Sequence, residues 1–143
     1  MTTVIVTGVD GSDTAARGAR RAAGLAHGLG GELHVLTAYG VRESTVYNDG
    51  VEKVVFADVK KAEKTACEAV ENLREFYPEL KISYAASEGS PSDALIAAAR
   101  ALHADIIVVG NKRVQGIARI LGSIAKSVAA HAPCDLYIAN TAR

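Results

Sequence analysis

The residues best placed to do chemistry lie between Asp105 and Lys126 (DIIVVGNKRVQGIARILGSIAK), and the chemistry their types favour is the holding of an anion. Ile106, Ile107, Val108 and Val109 form an unbroken β-branched run of the kind buried on both faces of a parallel sheet. Gly110 and Asn111 are expected to end that run, and Gly122 with Ser123 opens the next helical pattern. Glycine lets a backbone come close to an anion, and a helix start aims unpaired N–H groups at it. Lys112, Arg113, Arg119 and Lys126 fall in the segment, and no acid lies between Asp105 and Asp135, so the local field is positive. Phosphate is the first ligand to consider. A solvated basic loop between a strand and a helix would have the same composition, so this loop does not decide the matter alone.

A second turn, Val9-Asp10-Gly11-Ser12, follows the first apolar run of the chain. Asp10 can accept hydrogen bonds from a ribose or hold a divalent ion such as Mg²⁺ beside phosphates, and the same residue type closes Asx-turns and caps helices. Ser123 is expected to cap the helix it opens, whether or not it also meets phosphate. Neither GxGxxG nor GxxxxGK[ST] occurs, which argues against a dinucleotide fingerprint and a Walker loop. His27, His34, His103 and His131 are scattered, with no pair at metal-ligand spacing, so zinc is not expected. His131 suits the exposed carbonyls of a helix end. No serine, histidine and acid group together, Glu43, Glu88 and Asp93 read as solvated or capping charges, and nothing argues for a hydrolase. Tyr39 and Tyr47 belong to a stretch, Tyr39 to Asp49, that has no clear period and reads as a loop.

Strands and helices must alternate to bring the two turns together, and the sequence alternates from end to end. Thr3–Val9 reads as a strand, Ser12 or Asp13 caps a helix to about Leu29, and Ala15, Ala19, Ala22, Ala23 and Ala26 form its inner stripe. Glu32–Ala38 is the second strand. From about Val51 to Tyr77, Val55, Val59, Ala62, Ala66, Val70, Leu73 and either Phe76 or Tyr77 recur at helical spacing, and Pro78 ends the pattern. Lys81–Ala86 is a third strand, Ser90-Pro91-Ser92 opens a helix through Ala101, Asp105–Val109 is the fourth strand, Ser123 to about His131 the last helix, and Asp135–Ala139 the fifth strand. This pattern predicts an α/β fold: one doubly wound domain over residues 1–143, a five-stranded parallel sheet of order 3-2-1-4-5 with helices on both faces. In that order the chain reverses between strands 1 and 4, where such sheets bind ligands beyond their carboxyl ends. Both candidate turns fall there. The fifth strand is left at an edge with Leu136, Tyr137 and Ile138, which predicts a homodimer through it.

Composition bounds the partners. Lys plus Arg is 16 and Asp plus Glu is 16, a formal charge of 0, which argues against a binder of nucleic acid or acidic membrane resting on a large basic excess. No apolar run is long enough for a membrane span, and MTTVIVTGVDG has no basic region of the kind that opens a signal peptide. Cys67 and Cys134 are not in a CxxC pair, and reduced cytoplasmic thiols are expected, although sequence leaves a disulfide between them open.

Taken together, Val6-Thr7-Gly8-Val9-Asp10-Gly11-Ser12, Gly110-Asn111-Lys112, Gly122-Ser123 and His131-Ala132-Pro133-Cys134-Asp135 resemble the universal stress protein family, over essentially the whole chain. The resemblance implies a cytoplasmic α/β homodimer; one branch of the family binds ATP or another adenine nucleotide. Carried onto these positions, it implies Val9 and Asp10 beside the adenosine, the Ala38 backbone at the adenine edge, and Val109 with Gly110 at the ribose. Gly122, Ser123 and Ile124 would offer N–H groups, and Ser123 its hydroxyl, to phosphate. The chain departs from the family's glycine motif at Arg113, which replaces its second glycine, and the eight residues from there to Gly122 make the cradle one residue shorter. Arg113 then either reaches phosphate itself or fills the pocket, and Gly116 offers an alternative source of flexibility. Three functions follow: a sensor or regulator of the stress response that holds ATP, AMP or cyclic AMP; a dimeric module that works through a protein partner without nucleotide; and a slow ATPase or self-phosphorylating protein with Mg²⁺ near Asp10, for which no base can be assigned.

Overall fold

The computed structural model describes residues 2–40, 50–111 and 121–141, with side chains left out over 50–57. The apolar run VIVTG forms β1 (Val4–Gly8), and Asp13–Gly28 forms α1, capped by Ser12, whose hydroxyl accepts from the Ala15 N–H. There follow β2 (Glu32–Tyr39), α2 (Gly50–Phe76), β3 (Ile82–Glu88), α3 (Pro91–Ala101), β4 (Ile106–Asn111), α4 (Ser123–His131) and β5 (Asp135–Asn140). The strands form one parallel sheet in the order β3-β2-β1-β4-β5, as the alternation of elements predicts.

Because successive strand residues point to opposite faces, the sheet supports two cores. Ile5, Leu33, Val35 and Val108 meet the alanine stripe of α1 and Val70 and Leu73 of α2, while Val6, Leu36 and Ile107 meet Leu95 of α3 and Val128 of α4. Four of the five expected stripe residues are buried, and Ala15 is half-buried at the rim. A stripe this small lets α1 lie close to the sheet. A Cβ on Gly18 would lie 3.0 Å from the Gly110 nitrogen, and one on Gly110 would lie 2.7 Å from the Thr14 carbonyl oxygen.

The structure corrects several expected boundaries. Gly110 and Asn111 do not end β4, because β5 still offers them ladder partners in Ala139 and Asn140. For the same reason Tyr39 belongs to β2, paired with Glu88 of β3, and not to a loop; the rest of that expected loop, Tyr47 included, lies almost wholly outside the described residues. At the end of α2, Phe76 is 68% exposed, whereas Tyr77 packs on the core and places its ring 5.3 Å from that of His27. The two cysteines are free; Cys134 packs in the core under α3 and α4, while α2, which carries Cys67, covers the opposite face, so no disulfide joins them. Burial first, then Asp135 and Asp105, push the Cys134 thiol up, which disfavours its thiolate. Among the described residues no helix is long and apolar enough to cross a membrane.

Candidate functional site

At the carboxyl end of β1 the chain leaves the sheet in a turn defined by its own side chains. The Val9 N–H still donates to the Leu36 carbonyl at 2.9 Å. Asp10 Oδ1 then accepts the Ser12 N–H at 2.9 Å, Gly11 takes φ +87°, and Ser12 starts α1. This is an Asx-turn, so the turn-forming reading of Asp10 is the one the coordinates show, and it holds the carboxylate at the head of β1.

Across the reversal between β1 and β4 stands the start of α4. Ser123 is its first helical residue and does not cap it; Gly122 holds the cap position, at φ −61° and ψ 160°, with no side chain to accept from the helix. The Gly122 N–H does not point into open space either, since it donates to Asn111 Oδ1 at 2.9 Å. That bond ties the end of β4 to the start of α4, and it leaves the first-turn N–H groups of Ser123, Ile124 and Ala125 as donors without a partner inside the helix. The Lys126 N–H already closes the first turn on the Gly122 carbonyl at 3.0 Å.

Between the two turns lies a crevice of about 150 Å³, lined by Val9, Asp10, Ala38, Val109, Gly110 and Ile124, with Leu36, Pro91 and Leu95 among its apolar walls. The structure therefore brings together six of the residues singled out from sequence. Gly122, Ser123 and Asn111 adjoin it through α4 and β4. Lys112 and Arg113 lie outside the described residues, as do Gly116 and Arg119.

Sequence reasoning missed a second hollow, of about 310 Å³, that shares Asp10 and Ala38 with the crevice and runs toward α2 along Thr37, Asp58, Lys61 and Thr65. The Thr37 hydroxyl is buried with no hydrogen-bond partner among the described residues. The available signal was a hydroxyl inside the apolar run ELHVLTAY. For the Asn111–Gly122 bond no signal existed, because eleven positions separate the partners. Among the described residues no group of three or more His, Cys, Asp or Glu could hold an ion. Asp10 is a single carboxylate with one oxygen engaged in its turn. Magnesium arriving here would be carried largely by the ligand's own phosphates.

This is an open, doubly wound α/β domain with its crevice at the reversal of strand order, the place where domains of this class seat their ligands. Over residues 1–140 the chain matches the universal stress protein family. It belongs to that family. Universal stress protein Rv1636 of Mycobacterium tuberculosis is 32% identical over 148 residues, covering 96% of this chain and 95% of its own. A universal stress protein crystallised in complex with cAMP is 29% identical, with a TM-score of 0.63 and 98% of each chain covered. Universal stress protein UspA from Lactobacillus plantarum, 23% identical over 95% of this chain and 96% of its own, shares the fold at a TM-score of 0.75.

Proposed function

We propose that this protein binds an adenine nucleotide, ATP or AMP or cyclic AMP, in the crevice between β1 and β4, and serves as a homodimeric cytoplasmic sensor or regulator in the stress response. The observation that carries the reading is the uncapped start of α4 facing the fixed turn of Asp10 across a crevice with apolar walls. A phosphate suits the first, a ribose hydroxyl the second and an aromatic base the third. The related protein bound to cAMP supports the same ligand class.

In this reading Val9 and Asp10 border the adenosine, the Ala38 backbone meets the base edge, and Val109 and Gly110 approach the ribose. Since Asn111 already holds the Gly122 N–H, phosphate falls to the Ser123 and Ile124 N–H groups and the Ser123 hydroxyl. Lys112 and Arg113 are the cations the sequence supplies beside it. Among the described residues Asp10 is the single titratable side chain lining the crevice, and with one oxygen in the Asx-turn it is a positioning group and a poor general base. Binding, not turnover, is the activity this supports.

Titration calorimetry with ATP, ADP, AMP and cyclic AMP tests the proposal. At least one is expected to bind, and Gly122→Asp is expected to abolish that binding by placing a carboxylate at the helix start. Failure of all four to bind at about millimolar concentration, where even a weak complex of roughly −4 kcal/mol would register, would end the nucleotide reading.

A further inference from the structure

Away from the crevice, α1 carries Arg17, Arg20 and Arg21, whose spacing puts them on one stripe of the helix. They line a hollow of about 600 Å³ together with Tyr77, Asn140 and Thr141, and among the described residues no carboxylate lines it. Arg17 Nη1 donates to the Thr141 carbonyl at 3.0 Å, and Arg21 Nη1 to the Tyr137 hydroxyl at 3.1 Å. Both acceptors are neutral, so they fix the guanidinium groups without cancelling their charge. Among the described residues none of the three arginines is paired with a carboxylate; the ion pairs there are Lys64–Glu68 and Lys81–Glu32. Asp13 lies one turn before Arg17, and Glu75 shares the adjoining hollow with Arg20, yet neither is within ion-pair distance of them. The Thr141 hydroxyl, in a residue only 5% exposed, is buried with no hydrogen-bond partner among the described residues.

We propose that this hollow is a second ligand site, separate from the crevice, for a small molecule with two or more adjoining negative charges on phosphate or carboxylate groups. Three cations in a chain of zero net charge are a local concentration and not general basicity. Guanidinium forks match phosphate and carboxylate oxygens two at a time, and a single charge would leave two of the three unanswered. The volume lies within the range of roughly 300–1,000 Å³ usual for small-molecule sites. The site is also wired to the crevice. The Thr141 N–H donates to the Asn111 carbonyl at 3.0 Å, and the Asn111 side chain holds the Gly122 N–H at 2.9 Å.

The test is calorimetric titration of inorganic pyrophosphate at about 150 mM salt, where exposed unpaired charges are screened within roughly 8 Å. It is run on Gly122→Asp protein, so that the start of α4 cannot serve the probe, and on the same protein with Arg20→Gln and Arg21→Gln. Arg17 stays, because it ties α1 to the end of β5. Pyrophosphate is expected to bind the first protein and to lose about tenfold or more in affinity in the second, the worth of one charge-assisted contact. No binding by the first, or equal binding by both, overturns the proposal. So does binding that appears only when Ile138→Lys keeps copies apart, for then a carboxylate of a second copy fills the hollow. Failure of the nucleotide reading shows up elsewhere, as AMP affinity unchanged by Gly122→Asp.

Discussion

Gly110 and Gly122 belong to the same stretch of sequence and look alike in it, yet their surroundings give them different tasks. A Cβ on Gly110 would lie 2.7 Å from the Thr14 carbonyl oxygen and 3.1 Å from Thr141 Cγ2. Since the first of these is backbone, Gly110→Ala forces α1 off the sheet and is expected to cost about 1–3 kcal/mol. Urea unfolding measures this, and a loss below about 0.5 kcal/mol, the scale of an ordinary surface change, would show that the helix lifts freely. Gly122 is different: the nearest atom to its Cβ position is Asn111 Oδ1, at an ordinary 3.5 Å. Its extended φ and ψ are those of a helix cap, where aspartate is among the preferred residues. Gly122→Asp is therefore expected to keep the fold and raise the melting temperature slightly, by about 0.3 kcal/mol of stability, while removing nucleotide binding. A thermal melt beside the titration separates the two effects, and a variant that unfolds would contradict the geometry of the cap.

At the scale of elements, what could be read from sequence is what neighbours along the chain decide. Ser90 and Pro91 open α3 as expected, because a cap and the residue after it need nothing from afar. The alanine stripe of α1 and the order of the strands were legible for the same reason: period and alternation are written locally. The ends of β2, β3 and β4 were not, since a strand runs as long as its neighbour offers hydrogen bonds, and the partners of Tyr39 and Asn111 are Glu88 and Asn140. Nor could sequence choose between Phe76 and Tyr77, whose fates depend on where α1 lies. The candidate site divides likewise: its turns were legible, but the role of Asn111 and the hollow beside Thr37 required the folded chain. Pairing across β2 and β3 also has a consequence for pH. His34 stands opposite Ser83, with Nδ1 2.8 Å from Oγ, and burial lowers its pKa. The unfolded chain therefore takes up this proton at higher pH than the folded one. The contribution of a neutral His34 is fully present above about pH 6.5 and is lost as pH falls through the lowered folded value. Urea midpoints should drop between roughly pH 7.5 and 5.5, and His34→Gln, which keeps a polar partner for Ser83 but does not titrate, should flatten that drop. An equal drop in both proteins would assign it to other groups.

For the whole molecule the open question is how its edges are closed. The Asp135 and Thr141 N–H groups donate inward, to the carbonyls of Asp105 and Asn111, so alternation along the strand turns the backbone groups of Leu136 and Ile138 outward. Ile138 is also 37% exposed. An edge of this kind, apolar and able to pair, invites a second copy in antiparallel register about a two-fold axis perpendicular to the sheet. Such an axis leaves α1 of both copies on the same side, so the two arginine hollows would flank the seam. Tyr137, held by Arg21, would stand between them. Ile138→Lys places a charge on that edge and is expected to convert a dimer into a monomer in sedimentation velocity, with nucleotide affinity changed less than about threefold, since each crevice is built within one chain. Wild-type protein that sediments as a monomer at micromolar concentration would refute pairing through β5. A dimer indifferent to Ile138→Lys would move the interface elsewhere on the surface.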